Sequence, residues 1–166
     1  MSPSPPPTSI REQIMVAVVT ALAVASASCA SGSFAKPSNL TVHRERTRPI
    51  ETDMLPAVMV YADDDVPKPT GHESYRAPLT ERQLSLTLEC RAQGSANVSP
   101  DEALDPILIW AALALFADET FGGLANGLEE SRTVWSSRQG DVPVASTKFS
   151  ITVKFRTSRL DPTSKS

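Results

Sequence analysis

Residues 145–156 read ASTKFSITVKFR, and this stretch decides the fold. Thr147, Phe149, Ile151, Val153 and Phe155 fall on one side of an extended chain. Ser146, Lys148, Ser150, Thr152, Lys154 and Arg156 fall on the other. Period-two alternation carried this far predicts a strand with one packed face and one wet face. An antiparallel sheet covered on a single side by helices is the simplest structure that uses such a strand.

Working outward, Leu79 to Ala92 alternates in the same way. Leu84, Leu86, Leu88 and Cys90 point inward, and Ser85, Thr87, Glu89 and Arg91 point outward. Leu55 to Ala62 is a compact β-branched run that predicts a buried strand, with Pro56 at its entry. Leu40 to Arg46 and Leu128 to Ser137 supply two more strands, and the closing strand runs from Val144 to about Thr157. Ala62 to Pro78, with three aspartates in a row and three prolines, predicts a long loop between strands. Ser28 to Asn39 reads as a loop of small residues.

Two segments carry helix signals. Ser9-Ile-Arg-Glu12 has the form of a capping box, in which each end residue satisfies the other's amide. Ile10, Ile14, Val18, Ala21, Leu22 and Ala25 follow at helical spacing, predicting a helix to about Ala27. Ser99-Pro-Asp-Glu102 is a second capping box with proline at the favoured first position. Leu104, Ile107, Leu108, Ala111 and Leu115 continue it to about Ala117. Pro106 interrupts that spacing and predicts a short first turn followed by a main helix from Pro106. The fold class is therefore α+β: a mostly antiparallel sheet of four to five strands with two helices on one face. Residues 9–160 form the single domain, residues 1–8 a proline-rich disordered leader, and residues 161–166 a polar tail.

The chain of 166 residues has 16 basic and 19 acidic side chains, a formal charge of −3. That balance lacks the basic face of a dedicated nucleic-acid binder. Cys29 and Cys90 form no metal or CxxC spacing, and the expectation is two reduced cysteines. Ile14 to Ala27, followed by Cys29, also has the outline of an export or lipoprotein signal. A proline-rich rather than basic start, Glu12 beside Arg11, and Ser26 three places before Cys29 favour an amphipathic helix. The stretch is too short to span a membrane.

No motif for catalysis, phosphate or cofactor binding stands out, so neither catalytic residues nor a cofactor is assigned. Neither His43 nor His72 has a ligand-spaced neighbour, and no metal site is assigned. Asp63-Asp64-Asp65 is the densest charge cluster, but adjacent carboxylates splay rather than converge on a cation. In the second helix Ile109, Trp110, Leu113 and Phe116 join the inward stripe, so it is apolar nearly all round. Such a helix is either sunk between sheet and first helix or packed in part on another subunit. Asp63, Asp64, Asp65, Trp110, Leu113 and Phe116 are the candidate interface or lumen residues.

The opening SIREQIMVAVVTALA (9–23), the strands LPAVMVYADDD (55–65) and RQLSLTLECRA (82–92), the helix start SPDEALD (99–105) and the ending VASTKFSITVKFRTSRLDP (144–162) resemble tail terminator proteins of long-tailed phages. These are relatives of the minor tail protein U of lambdoid phages, often carried in prophages. The resemblance spans residues 9–162 and departs at Pro106 and in the leader. It implies a ring, six-fold in the family, that caps the head-proximal end of the tail tube and joins the tail to the head. The implied partners are sister copies, the tail tube protein and a head completion protein, with no membrane. DNA would pass through the lumen without specific binding. The implied location is the virion tail, reached from the host cytoplasm during assembly. The competing expectation is a secreted or lipid-anchored bacterial protein whose mature chain starts near Cys29.

Overall fold

The first helix, α1 (Ile10–Ala21), starts on a half-formed capping box. The Glu12 amide donates to Ser9 Oγ at 3.2 Å, but the Glu12 carboxylate is held by Arg44 instead of returning to the Ser9 amide. The Ile10 amide, one of the donors a helix start leaves unpaired, is taken by the Pro162 carbonyl at 3.0 Å. The expected polar tail is thus tied back onto α1, at least over residues 161–164. The computed structural model describes residues 7–24, 26–29, 32–45, 50–68, 79–138, 143–158 and 161–164. Most of the proline-rich leader, His72 and most of the segment expected as a loop after Pro67 lie outside the described residues.

The sequence placed the end of the first helix near Ala27, but it ends at Ala21, its last turn unwinding through Leu22 to Val24. The small-residue stretch that follows is not simply a loop. β1 (Ser26–Cys29) pairs antiparallel with β2 (Gly32–Ala35) in a separate two-stranded ribbon. Ala27 of β1 is buried against the helical layer. Alanine, valine and serine suit helix and strand almost equally, and tertiary packing decided between them.

The main sheet has five strands in the order β3-β4-β5-β7-β6. β3 (Thr41–Arg44) lies parallel to β4 (Ala57–Pro67), and every other neighbouring pair is antiparallel. β5 (Leu79–Gln93) and β7 (Val144–Ser158) pair without a register shift from Leu79↔Ser158 to Gln93↔Val144. This central ladder puts Leu84 opposite Val153, Leu86 opposite Ile151 and Leu88 opposite Phe149, all buried. β6 (Gly127–Arg138) closes one edge and β3 the other.

α2 (Pro100–Phe116) lies on the face formed by those apolar rows, and β1 packs on it. Both halves of its capping box form: the Ser99 amide donates to Glu102 at 2.9 Å and the Glu102 amide to Ser99 Oγ at 3.2 Å. Contrary to the expected restart, Pro106 sits inside one continuous helix. An internal proline costs about 3 kcal/mol through its missing amide bond and its ring clash. Burial of Leu104, Ile107, Trp110, Ala111, Ala114 and Leu115 along the same helix outweighs that cost. Asp118 then closes the turn, accepting from the amides of Thr120 at 3.0 Å and Gly122 at 2.6 Å. The backbone passes left-handed through Phe121, Gly122 and Gly123, and the buried Phe121 anchors it. The result is an α+β molecule with both helices packed against the sheet.

Candidate functional site

Asp63, Asp64 and Asp65 do not lie in a loop. β4 runs on through them to Pro67, with a bulge between Ala62 and Asp65. Three acidic residues in a strand need neighbours that offset their mutual repulsion, and β5 supplies two. Asp63 Oδ2 accepts from Thr87 Oγ1 at 2.6 Å. Asp65 Oδ1 lies 2.8 Å from Arg82 Nε. Thr87 Oγ1 is also 3.1 Å from Ser150 Oγ, so a polar row crosses β4, β5 and β7 on the face away from the helices. Asp64 is exposed. The bulge turns Asp63 and Asp65 onto different partners, so the three carboxylates do not converge. Among the described residues no group of three or more His, Cys, Asp and Glu is placed to hold a metal ion. His43, on the edge strand β3, has Nε2 3.1 Å from Thr41 Oγ1.

The helical candidates separate. Trp110 is 0% exposed, part of the chain's own core rather than an outward interface residue. Lys36, just past β2, places Nζ 5.6 Å from the ring centroid in cation–π geometry. Leu113 and Phe116 are half-buried on the core margin. Together with Ala112 and the exposed Ile109 they make an i, i+3, i+4, i+7 stripe along one flank of α2. This flank lies on the helical side of the sheet, whereas Asp63 accepts from Thr87 on the opposite side. The structure therefore does not gather the candidates into one site.

Sequence reasoning missed the most exposed aromatic among the described residues. Trp135 on β6 is 51% exposed, and its neighbour Val134 is 38% exposed. Trp135 stands opposite Thr147 and so belongs to the helical side of the sheet, while Val134 stands opposite Lys148 on the polar side. The signal was present: adjacent large apolar residues in a strand cannot both face one core. Residues 133–136, Thr-Val-Trp-Ser, contain no charge and no proline. Edge strands usually carry such features to discourage further pairing. The first half of β6 does carry them, with Glu129, Glu130 and Arg132 around a bulge.

Electrostatics elsewhere are structural. Burial pushes the Cys90 thiol up to about 12, which makes it a small apolar side chain rather than a nucleophile. Cys90 is a free cysteine. Hydrogen bonds from Thr120 and Gly122 hold the Asp118 carboxyl below its ordinary range. Among the described residues no helix is long and apolar enough to cross a membrane. Neither the family models nor the curated proteins compared with this chain gave a match.

Proposed function

We propose that this chain is a subunit of a ring that caps the head-proximal end of a phage tail tube. In that role it ends tube polymerisation and joins the tail to the head. Its partners are sister copies, the tube protein and a head completion protein. DNA crosses the lumen without specific contacts, and no bond is made or broken. The observation that carries this reading is the order of segments that resembles tail terminators, folded here as one helix-clad sheet whose edge strands β3 and β6 have no further strand beside them among the described residues. A molecule with two different open edges suits heterologous association, a head-to-tail contact whose rotation closes into a ring. The half-exposed flank of α2 around Ile109, Leu113 and Phe116 offers a further surface for a neighbour.

The reading as an exported or lipid-anchored protein starting near Cys29 meets an obstacle. Removing the preceding segment would strip Ile10, Ile14, Met15, Val18 and Leu22 out of the core. The deciding experiment mixes the purified full chain with polymerising tail tube protein and measures tube lengths by negative-stain microscopy. Tubes with one blunt, ring-bearing end and arrested growth support the reading. Unrestricted growth with no bound chain overturns it.

A further inference from the structure

We propose that the two open edges of the sheet, β6 of one copy and β3 of the next, pair antiparallel to extend one sheet through neighbouring subunits. This deepens the proposed ring and rests on that reading for the head-to-tail arrangement of copies. Three independent features of the fold agree on it.

Direction comes first. β3 is parallel to β4, and β4, β5, β7 and β6 alternate, so β6 runs opposite to β3. A neighbour placed in the same orientation beside β6 therefore offers β3 in the antiparallel sense, the more stable pairing.

Face comes second. Val42 is paired with Val58, a core residue of the helical side, and Trp135 with Thr147 on that same side. His43 is paired with Met59 and Val134 with Lys148, both on the polar side. Setting Val42 opposite Trp135 keeps both helical layers on one side of the joined sheet. It also covers the most exposed aromatic of the edge with an aliphatic partner, a favourable cross-strand pair.

Charge comes third. The same register places Thr41 opposite Ser136, His43 opposite Val134 and Arg44 opposite Thr133, and it brings Glu45, just past the strand end where the backbone turns left-handed, toward Arg132. Glu45 and Arg132 are both exposed. The groups already near Glu45 are Arg11, 3.8 Å away, and Arg44 of the same strand end. Sliding the register by two residues toward the start of β6 brings the strand-end Glu45 toward Glu130, a like-charge approach that disfavours it. The uncharged run 133–136 is thus the part of β6 that a neighbouring strand would cover.

The test is a disulfide trap in the full chain. In a Cys29→Ser background, His43→Cys and Val134→Cys are introduced together and separately, and the purified proteins are oxidised at high concentration. The expected result is a covalent ladder of dimers and larger species from the double variant only. A dimer from Val134→Cys alone, or an absence of crosslinks from the double variant, overturns the contact. A charge swap gives a second readout. Arg132→Glu should weaken self-association measured by sedimentation about tenfold, and adding Glu45→Arg should restore it. Loss without restoration, with the circular dichroism unchanged, also overturns the contact. A chain that caps tubes but fails to crosslink loses this contact and keeps the ring. One that crosslinks but leaves tube length unchanged keeps the contact and loses the phage role.

Discussion

Glu12 in the first turn of α1 meets Arg44 on the edge strand β3 through two short contacts, Nη1 to Oε1 at 2.5 Å and Nη2 to Oε2 at 2.6 Å. This bidentate clamp ties the first helix to the open edge of the sheet across 32 residues of chain. The Arg44 hydrogen bonds hold the Glu12 carboxyl below its ordinary range. A carboxyl depressed in the folded state contributes stability above its unfolded pKa and loses it as pH falls through the folded value. Glu12→Gln should therefore cost stability at neutral pH and progressively less in acid. Both side chains are about a third exposed, so screening limits the loss to about 1 kcal/mol. Urea unfolding of both proteins at neutral and acid pH checks this, and an equal gap at both would rule out the clamp as its source.

Thr147 sits on the packed side of β7, fully buried, with no partner for its hydroxyl among the described residues. A buried unmet hydroxyl costs about 1–3 kcal/mol. Thr147→Val keeps the branched shape and removes that group, so the variant should unfold at higher denaturant by an amount worth about 1 kcal/mol. A lower midpoint would mean that the hydroxyl is satisfied.

The two longest strands were legible because nothing competes with their alternation. From Leu84 to Ala92 in β5 and from Ala145 to Thr157 in β7 every second residue is apolar or threonine and buried, over a length no helix pattern matches. The extension of β4 was hidden because three aspartates and a proline argue locally for a loop. The donors that satisfy two of them lie 17 and 24 residues away, in Arg82 and Thr87. The role of Trp110 was hidden for the opposite reason. A helix apolar nearly all round does not say which side is inside, and only the ribbon β1–β2 packing over α2 settled it. Of the expected capping box at Ser9 the Ser9 Oγ half forms, while the Glu12 carboxylate goes to Arg44, a partner 32 residues away that local sequence does not reveal.

That division of α2 can be measured. Trp110→Ala should cost about 3–5 kcal/mol, the range for a large buried aromatic. Ile109→Ser, on the exposed flank, should change stability by no more than about 0.5 kcal/mol. Thermal unfolding of the two variants checks the contrast. If Ile109→Ser then weakens association while the fold holds, the flank belongs to a subunit contact.

The acidic run of β4 can be divided in the same way, and the division bears on whether these carboxylates line a channel. Asp65 has a structural partner in Arg82, so a charge change there disturbs the β4–β5 ladder along with any field. Asp64 is exposed, and Asp64→Lys alters charge while leaving both β5 hydrogen bonds in place. An acidic lumen repels phosphate and eases DNA passage, whereas a lysine there would hold DNA electrostatically. Asp64→Lys should therefore fold with unchanged stability and, if the chain is the proposed ring subunit, still arrest tube growth and slow genome ejection from assembled particles. Asp65→Asn should instead lower the unfolding midpoint by an amount worth about 1 kcal/mol or less, as expected for a partly exposed ion pair. Ejection kinetics unchanged by Asp64→Lys would place the aspartates on the outside of the ring.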